Sequence, residues 1–180
     1  MLRITIPAAE FWDEVNEEFV YAKEQTLQLE HSLVSLSKWE SKWRKAFLGK
    51  QEKTEEEILD YVKCMTLTQN VNPEVYTRLT TDNYKEINAY IESPMTATFF
   101  SEDKTAKGGR ETVTSELIYY WMISLNIPVE FQKWHLNRLL TLIRVCNVKN
   151  SPPKRRSKRE IMRRNAALNA ARRSRLNSKG

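Results

Sequence analysis

Two patterns in this 180-residue chain predict an α+β protein that is mostly α. Apolar residues recur with a period of two in the first 30 residues, and with a period of three to four in nearly everything that follows. Charge adds a third feature, because the last thirty residues are set apart by a dense run of Lys and Arg. The expected organisation is an N-terminal β segment (1–30), a helical domain (31–150) forming one globular unit with it, and a basic C-terminal arm (151–180) that is helical or disordered.

Leu2, Ile4 and Ile6 alternate with Arg3 and Thr5, which reads as a strand stopped by Pro7. FVYA (19–22) and TLQLE (26–30) read as further short strands, making residues 1–30 a small antiparallel sheet. Leu33, Leu36, Trp39, Trp43 and Phe47 then form one helical face, with Gly49 placed to end the helix. Thr54 and Glu57 have capping-box spacing, in which each side chain satisfies the other's exposed backbone N–H. Behind them Ile58, Tyr61, Val62 and Met65 make the buried stripe of a second helix. Asn72-Pro73 opens a short helix to about Leu79, since proline loses nothing at a first helical position.

Asn83 with Glu86 repeats the capping-box spacing before a helix that ends ahead of Pro94. FFSEDKTAKGGRE (99–111) is a polar loop with its flexible point at Gly108-Gly109. TVTSELIYYWMISLN (112–126) is apolar nearly all round and is expected to be the central buried helix. Pro128 starts the last helix of the body, with Phe131, Trp134, Leu139, Leu142, Ile143 and Cys146 carrying the core along it. Ser151-Pro152-Pro153 is a short stiff linker, Ser157 and Glu160 are spaced as another capping box, and the alanines beyond favour helix. The apolar stripe there is poor, little more than Ile161 and Leu168, so this segment is expected to stay frayed until something binds.

The net charge of +6 conceals a split: residues 151–180 hold 11 Lys or Arg against Glu160 alone, about +10, which leaves about −4 for residues 1–150. Cys64 and Cys146 give no disulfide framework and fit a reducing compartment. The acidic start lacks an apolar signal core, and the longest apolar run, LIYYWMI, falls far short of the roughly 20 residues of a membrane span. A cytoplasmic protein without a membrane partner is expected.

The four glycines, at 49, 108, 109 and 180, can write neither a phosphate loop nor a dinucleotide fingerprint. His31, His135 and two distant cysteines have no zinc spacing, and both cysteines read as small core residues. His135 and Cys146, 11 apart on one helix, are too far separated along its axis to form a nucleophilic pair. His135 beside Trp134 reads as a satisfied interface histidine. Acids such as Asp13, Glu14, Glu17, Glu18, Glu55, Glu56 and Glu57 sit at helix starts or in loops, where the positive helix end accounts for them. No catalytic residue, cofactor or metal is therefore expected. Trp39 and Trp43, at i and i+4, read first as core, and Trp134 joins them as a candidate partner contact because tryptophan is enriched at interfaces.

HSLVSLSKWESKWRKAFL, LDYVKCMTLTQNV, IYYWMISLNIPVEFQKWHLNRLLTLIRVCNVKN and SKREIMRRNAALNAARRSRLNSKG together resemble tail assembly chaperones of long-tailed, siphovirus-type bacteriophages. The resemblance runs from about residue 25 to the end as whole segments, with no catalytic signature. It implies a non-enzymatic virion morphogenesis factor of the infected host's cytoplasm, absent from the mature particle. It also implies binding of the tape measure protein, which such proteins keep soluble, and of tail tube subunits. A helix-in-groove mode on the bundle fits such a client, with the basic arm adding long-range attraction. The alternative is a nucleic-acid-binding protein whose phosphate contacts are Lys154, Arg155, Arg156, Lys158, Arg159, Arg163, Arg164, Arg172, Arg173 and Arg175. A minor virion structural protein is the third reading.

Overall fold

The computed structural model describes residues 1–13, 17–100, 112–152 and 158–176, and among these the mostly α, α+β class holds. The chain falls into two compact units, Met1–Asn147 and Val148–Gly180, so the division comes just before the end of the last helix of the body.

The N-terminal segment has four strands where the sequence pattern indicated three. Strand β1 (Leu2–Ile6) pairs antiparallel with β4 (Gln25–Leu29), and β2 (Ala9–Asp13) pairs antiparallel with β3 (Glu18–Ala22). Partner numbers add to 31 in both ladders, from Leu2↔Leu29 to Asp13↔Glu18, so among the described residues the two ladders continue one another in register as one ribbon, interrupted between them. Pro7, which has no N–H to give a ladder, sits in that interruption. There the Arg78 guanidinium donates to the Pro7 carbonyl at 2.9 Å and to the Lys23 carbonyl at 3.5 Å, gripping both strands. The period-two reading missed β2 because AEFWD mixes charge and aromatics with no clean alternation.

Helix α1 (Leu33–Trp43) starts at a reciprocal Ser32–Ser35 capping box and is the spine of the body. Its Trp39 joins one core cluster with Ile4, Ile6, Leu27 and Leu29 of the ribbon, Tyr61, Val62 and Met65 of α2 (Glu55–Met65), and Ile87 and Tyr90 of α3 (Thr81–Glu92). Its Leu33 and Leu36 join a second cluster with Ile118 and Met122 of α4 (Ser115–Ser124) and with Leu136, Leu139 and Ile143 of α5 (Leu136–Asn150). A 3₁₀ turn, Pro73–Arg78, adds Val75 and Tyr76 to the first cluster. The segment after α2 covers β4: Glu30 N–H donates to the Met65 carbonyl at 2.9 Å and Leu67 N–H to the Gln28 carbonyl at 2.8 Å.

Several expectations need correction. Helix α1 ends at Arg44, in the left-handed conformation (φ 53°), five residues before Gly49. Phe47 has therefore left the helix, and it stacks on Tyr61 with centroids 3.9 Å apart. The box that opens α3 is Thr80 with Asn83; Asn83 is its third residue, not its cap. Residues 112–126 are not the central helix: α4 buries only Ser115, Ile118 and Met122 and leaves Tyr120 and Ile123 exposed. The helix expected from Pro128 is split into a 3₁₀ turn, Val129–Lys133, and α5, because His135 turns inward at the junction. Only Leu136, Leu139 and Ile143 of α5 are buried; Leu142 and Cys146 stop half-way, as does Cys64 on α2.

The last helix, α6 (Lys158–Leu176), realises the helical alternative for the arm and buries no residue. Gly108-Gly109 in the polar loop, and the Ser157 cap expected for α6, lie outside the described residues. No helix among the described residues is long and apolar enough to cross a membrane.

Candidate functional site: an apolar groove between α2 and α3

Facing stripes of α2 and α3 leave an open groove of about 550 Å³. Ile58, Tyr61 and Val62 line it from α2, and Tyr84, Ile87 and Ile91 from α3. The spacings of three, four and seven put each set on one face of its helix. Phe47 completes the floor, and Lys53 Nζ lies 4.6 Å over its ring at one end. Ile58, expected in the buried stripe, is instead 40% exposed on the rim. The rim is otherwise polar, with Glu55 and Asn88. Burial, reinforced by the Glu55 charge, raises the Tyr84 phenol above its usual range and keeps it a neutral donor.

Buried polar bonds hold the groove's walls. The Thr54–Glu57 box caps α2 as expected, and the same Glu57 carboxylate pairs with Lys45 from the α1–α2 loop. The hydrogen bond from Lys45, then those from the Thr54 cap, hold the Glu57 carboxyl below its usual range. Trp39 Nε1–H donates to the Glu57 carbonyl at 2.8 Å, and Trp43 Nε1–H to Asp60 at 2.9 Å, with Lys42 on the other Asp60 oxygen. The volume suits several large side chains of a ligand. Apolar walls with a polar rim favour the stripe of an amphipathic helix.

The residues singled out from sequence are not brought together. Trp39, at 1% exposure, presents no surface to a partner, which corrects its candidacy. Trp43 is half-buried beside it, ring centroids 6.3 Å apart. Trp134 lies elsewhere, stacked on Phe131 at 4.1 Å, with the Arg138 guanidinium over its ring, 4.0 Å from the centroid. Lys158, Arg159, Arg163, Arg164, Arg172, Arg173 and Arg175 are all exposed on α6. At about 100° per residue they fall all round the helix and form no stripe. Lys154, Arg155 and Arg156 lie outside the described residues. Sequence reasoning missed the groove; the available signal was Tyr84, Ile87 and Ile91, a second amphipathic stripe just beyond that of α2.

The two histidines meet in the interior, with ring centroids 5.1 Å apart. His135 Nε2–H donates to the Tyr90 carbonyl at 3.0 Å while its Nδ1 accepts the Asn137 N–H at 3.3 Å, a pattern that only the neutral ring satisfies. His31 Nδ1 is hydrogen-bonded to the Tyr61 hydroxyl at 2.6 Å. Burial, then the proximity of His135, lowers His31 to about 4. Burial likewise lowers His135. His135 is thus an interior residue. Among the described residues no cluster of three or more His, Cys, Asp or Glu side chains is placed to hold a metal ion.

Compared with protein families, with curated proteins and with solved structures, the chain matches none.

Proposed function

We propose that this chain is a non-enzymatic tail assembly chaperone of a long-tailed bacteriophage, acting in the host cytoplasm and leaving before the virion is complete. Its clients are the tape measure protein and tail tube subunits. The observation that carries the reading is the α2/α3 groove, whose apolar stripes and partly exposed Ile58 suit the apolar face of a client helix. Holding an aggregation-prone helical protein calls for buried apolar area and polar edges, and for no reactive group.

The test is co-purification from phage-infected cells with nuclease treatment, comparing the tagged full-length chain with Ile58→Glu. The wild type should retain a long helical tail protein after nuclease, and Ile58→Glu should lose it. Recovery that is indifferent to Ile58→Glu, or that nuclease abolishes, overturns the reading. Finding the chain in purified particles supports the virion-component reading instead.

One observation favours a second reading, nucleic-acid binding. Seven Lys and Arg side chains of α6 are exposed, and their distribution all round the helix suits phosphates approached from any side. Its signature is a steep fall of affinity with salt and a full loss when Arg163, Arg164, Arg172 and Arg173 become Gln.

A further inference from the structure

The outer half of the N-terminal ribbon carries an aromatic face that the body leaves uncovered. Alternation places residues 10 and 12 of β2 on the same face as 4 and 6 of β1, and residues 19 and 21 of β3 with 27 and 29 of β4. Over the body that face is Ile4, Ile6, Leu27 and Leu29, at most 1% exposed. Past the grip of Arg78 it becomes Glu10, Trp12, Phe19 and Tyr21, the three aromatics being 50, 67 and 65% exposed. Trp12 stands opposite Phe19, rings edge-to-face at 4.9 Å, and Glu10 stands opposite Tyr21. A surface that is core chemistry at one end of the ribbon thus runs on uncovered at the other. An isolated two-stranded ribbon is only marginally stable, and exposed aromatics of this density are what interfaces bury.

Charge decides the occupant. Residues 8–13 and 17–25 hold five acids against Lys23 alone, so a second copy of the ribbon would be repelled. Glu10, Glu17 and Glu24 are exposed. Among the described residues strands β2 and β3 pair only with each other, which leaves each an outer edge to which a further strand can add.

We infer that the β2–β3 ribbon is a docking site for an extended, arginine-rich segment of another protein. The segment's backbone adds to the ribbon edge, which sets every second side chain, the arginines, on the face of Trp12, Phe19 and Tyr21. Its guanidinium groups stack on the aromatic rings and pair with Glu10. This inference is independent of the chaperone reading, because it uses no residue of the α2/α3 groove.

The experiment is a fluorescence-anisotropy titration of the full-length chain with a labelled octapeptide of four Arg-Val repeats, and with a Glu-Val octapeptide as control. The Arg-Val peptide should bind and the Glu-Val peptide should not. Trp12→Ala with Phe19→Ala should weaken binding about tenfold or more. Glu10→Gln, which leaves the aromatic face whole, should weaken it several-fold; it decides the matter if the double variant alters the thermal melt of the body. Equal binding of both peptides, or binding that neither variant changes, overturns the inference. So does a wild-type dimer in sedimentation that the double variant converts to monomer, since a second copy would then be the occupant.

Discussion

Glu40 is 6% exposed, and both of its carboxylate oxygens are committed. One accepts the Phe47 N–H at 2.8 Å and the other the Ser115 N–H at 2.7 Å, so a single side chain of α1 ties down the loop after it and the first turn of α4. Nothing in the sequence separates Glu40 from the other acids, because its partners are backbone groups 7 and 75 residues away. Glu40→Ala strands two backbone donors, one of them buried, and should cost about 2–4 kcal/mol in urea unfolding. The buried histidines give a second prediction at this scale. With His31 at about 4, against an ordinary 6.5, the unfolded chain takes up a proton that the folded chain refuses. Stability should therefore be full above about pH 6.5 and fall as pH drops towards 4, by roughly 3 kcal/mol from His31, with His135 acting in the same direction. Urea midpoints compared near neutrality and near pH 5 test this, and His31→Gln should flatten the difference. Sequence marked His31 only as one of two histidines without zinc spacing; its neutrality comes from packing against Tyr61 and His135.

Helix starts were legible where a cap is a local event. The Thr54–Glu57 box involves side chains three residues apart, so chain geometry alone presents them to each other, and it stands in the structure as expected. Thr54→Ala should cost about 1 kcal/mol, read as a lower thermal midpoint. Helix ends were less legible. Arg44 takes a left-handed conformation that favours glycine, and Gly49 was accordingly the residue that sequence pointed to. The stop comes early because Glu40 holds Phe47 where it stacks on Tyr61, a contact outside α1. Arg44→Gly should stabilise the chain by about 0.5–1 kcal/mol, and a lower midpoint would contradict this account. Apolar content misled in α4 for a related reason: hydrophobicity all round a helix shows that it can be buried, not which neighbours bury it.

At the scale of the molecule, the groove and the ribbon are surfaces assembled from separate elements. Ile87, 2% exposed beneath the groove, and Ile58, on its rim, should respond differently: Ile87→Ala should cost about 2–4 kcal/mol, while Ile58→Glu should change stability by less than about 1 kcal/mol. Comparable losses from both would mean that the groove is closed in solution. The sequence by itself determined the α+β class, the antiparallel N-terminus, the capping of α2 and the segregation of positive charge into residues 151–180. Each of these rests on a periodicity, a capping pair or a composition contained within a few tens of residues. Tertiary structure alone decided that α1 is the spine, that β2 and β3 carry the ribbon past the body, that His31 meets His135, and that Ile58 faces a groove. Those outcomes depend on which elements occupy the space beside each residue, and pairwise burial of distant surfaces leaves no periodic trace in the chain.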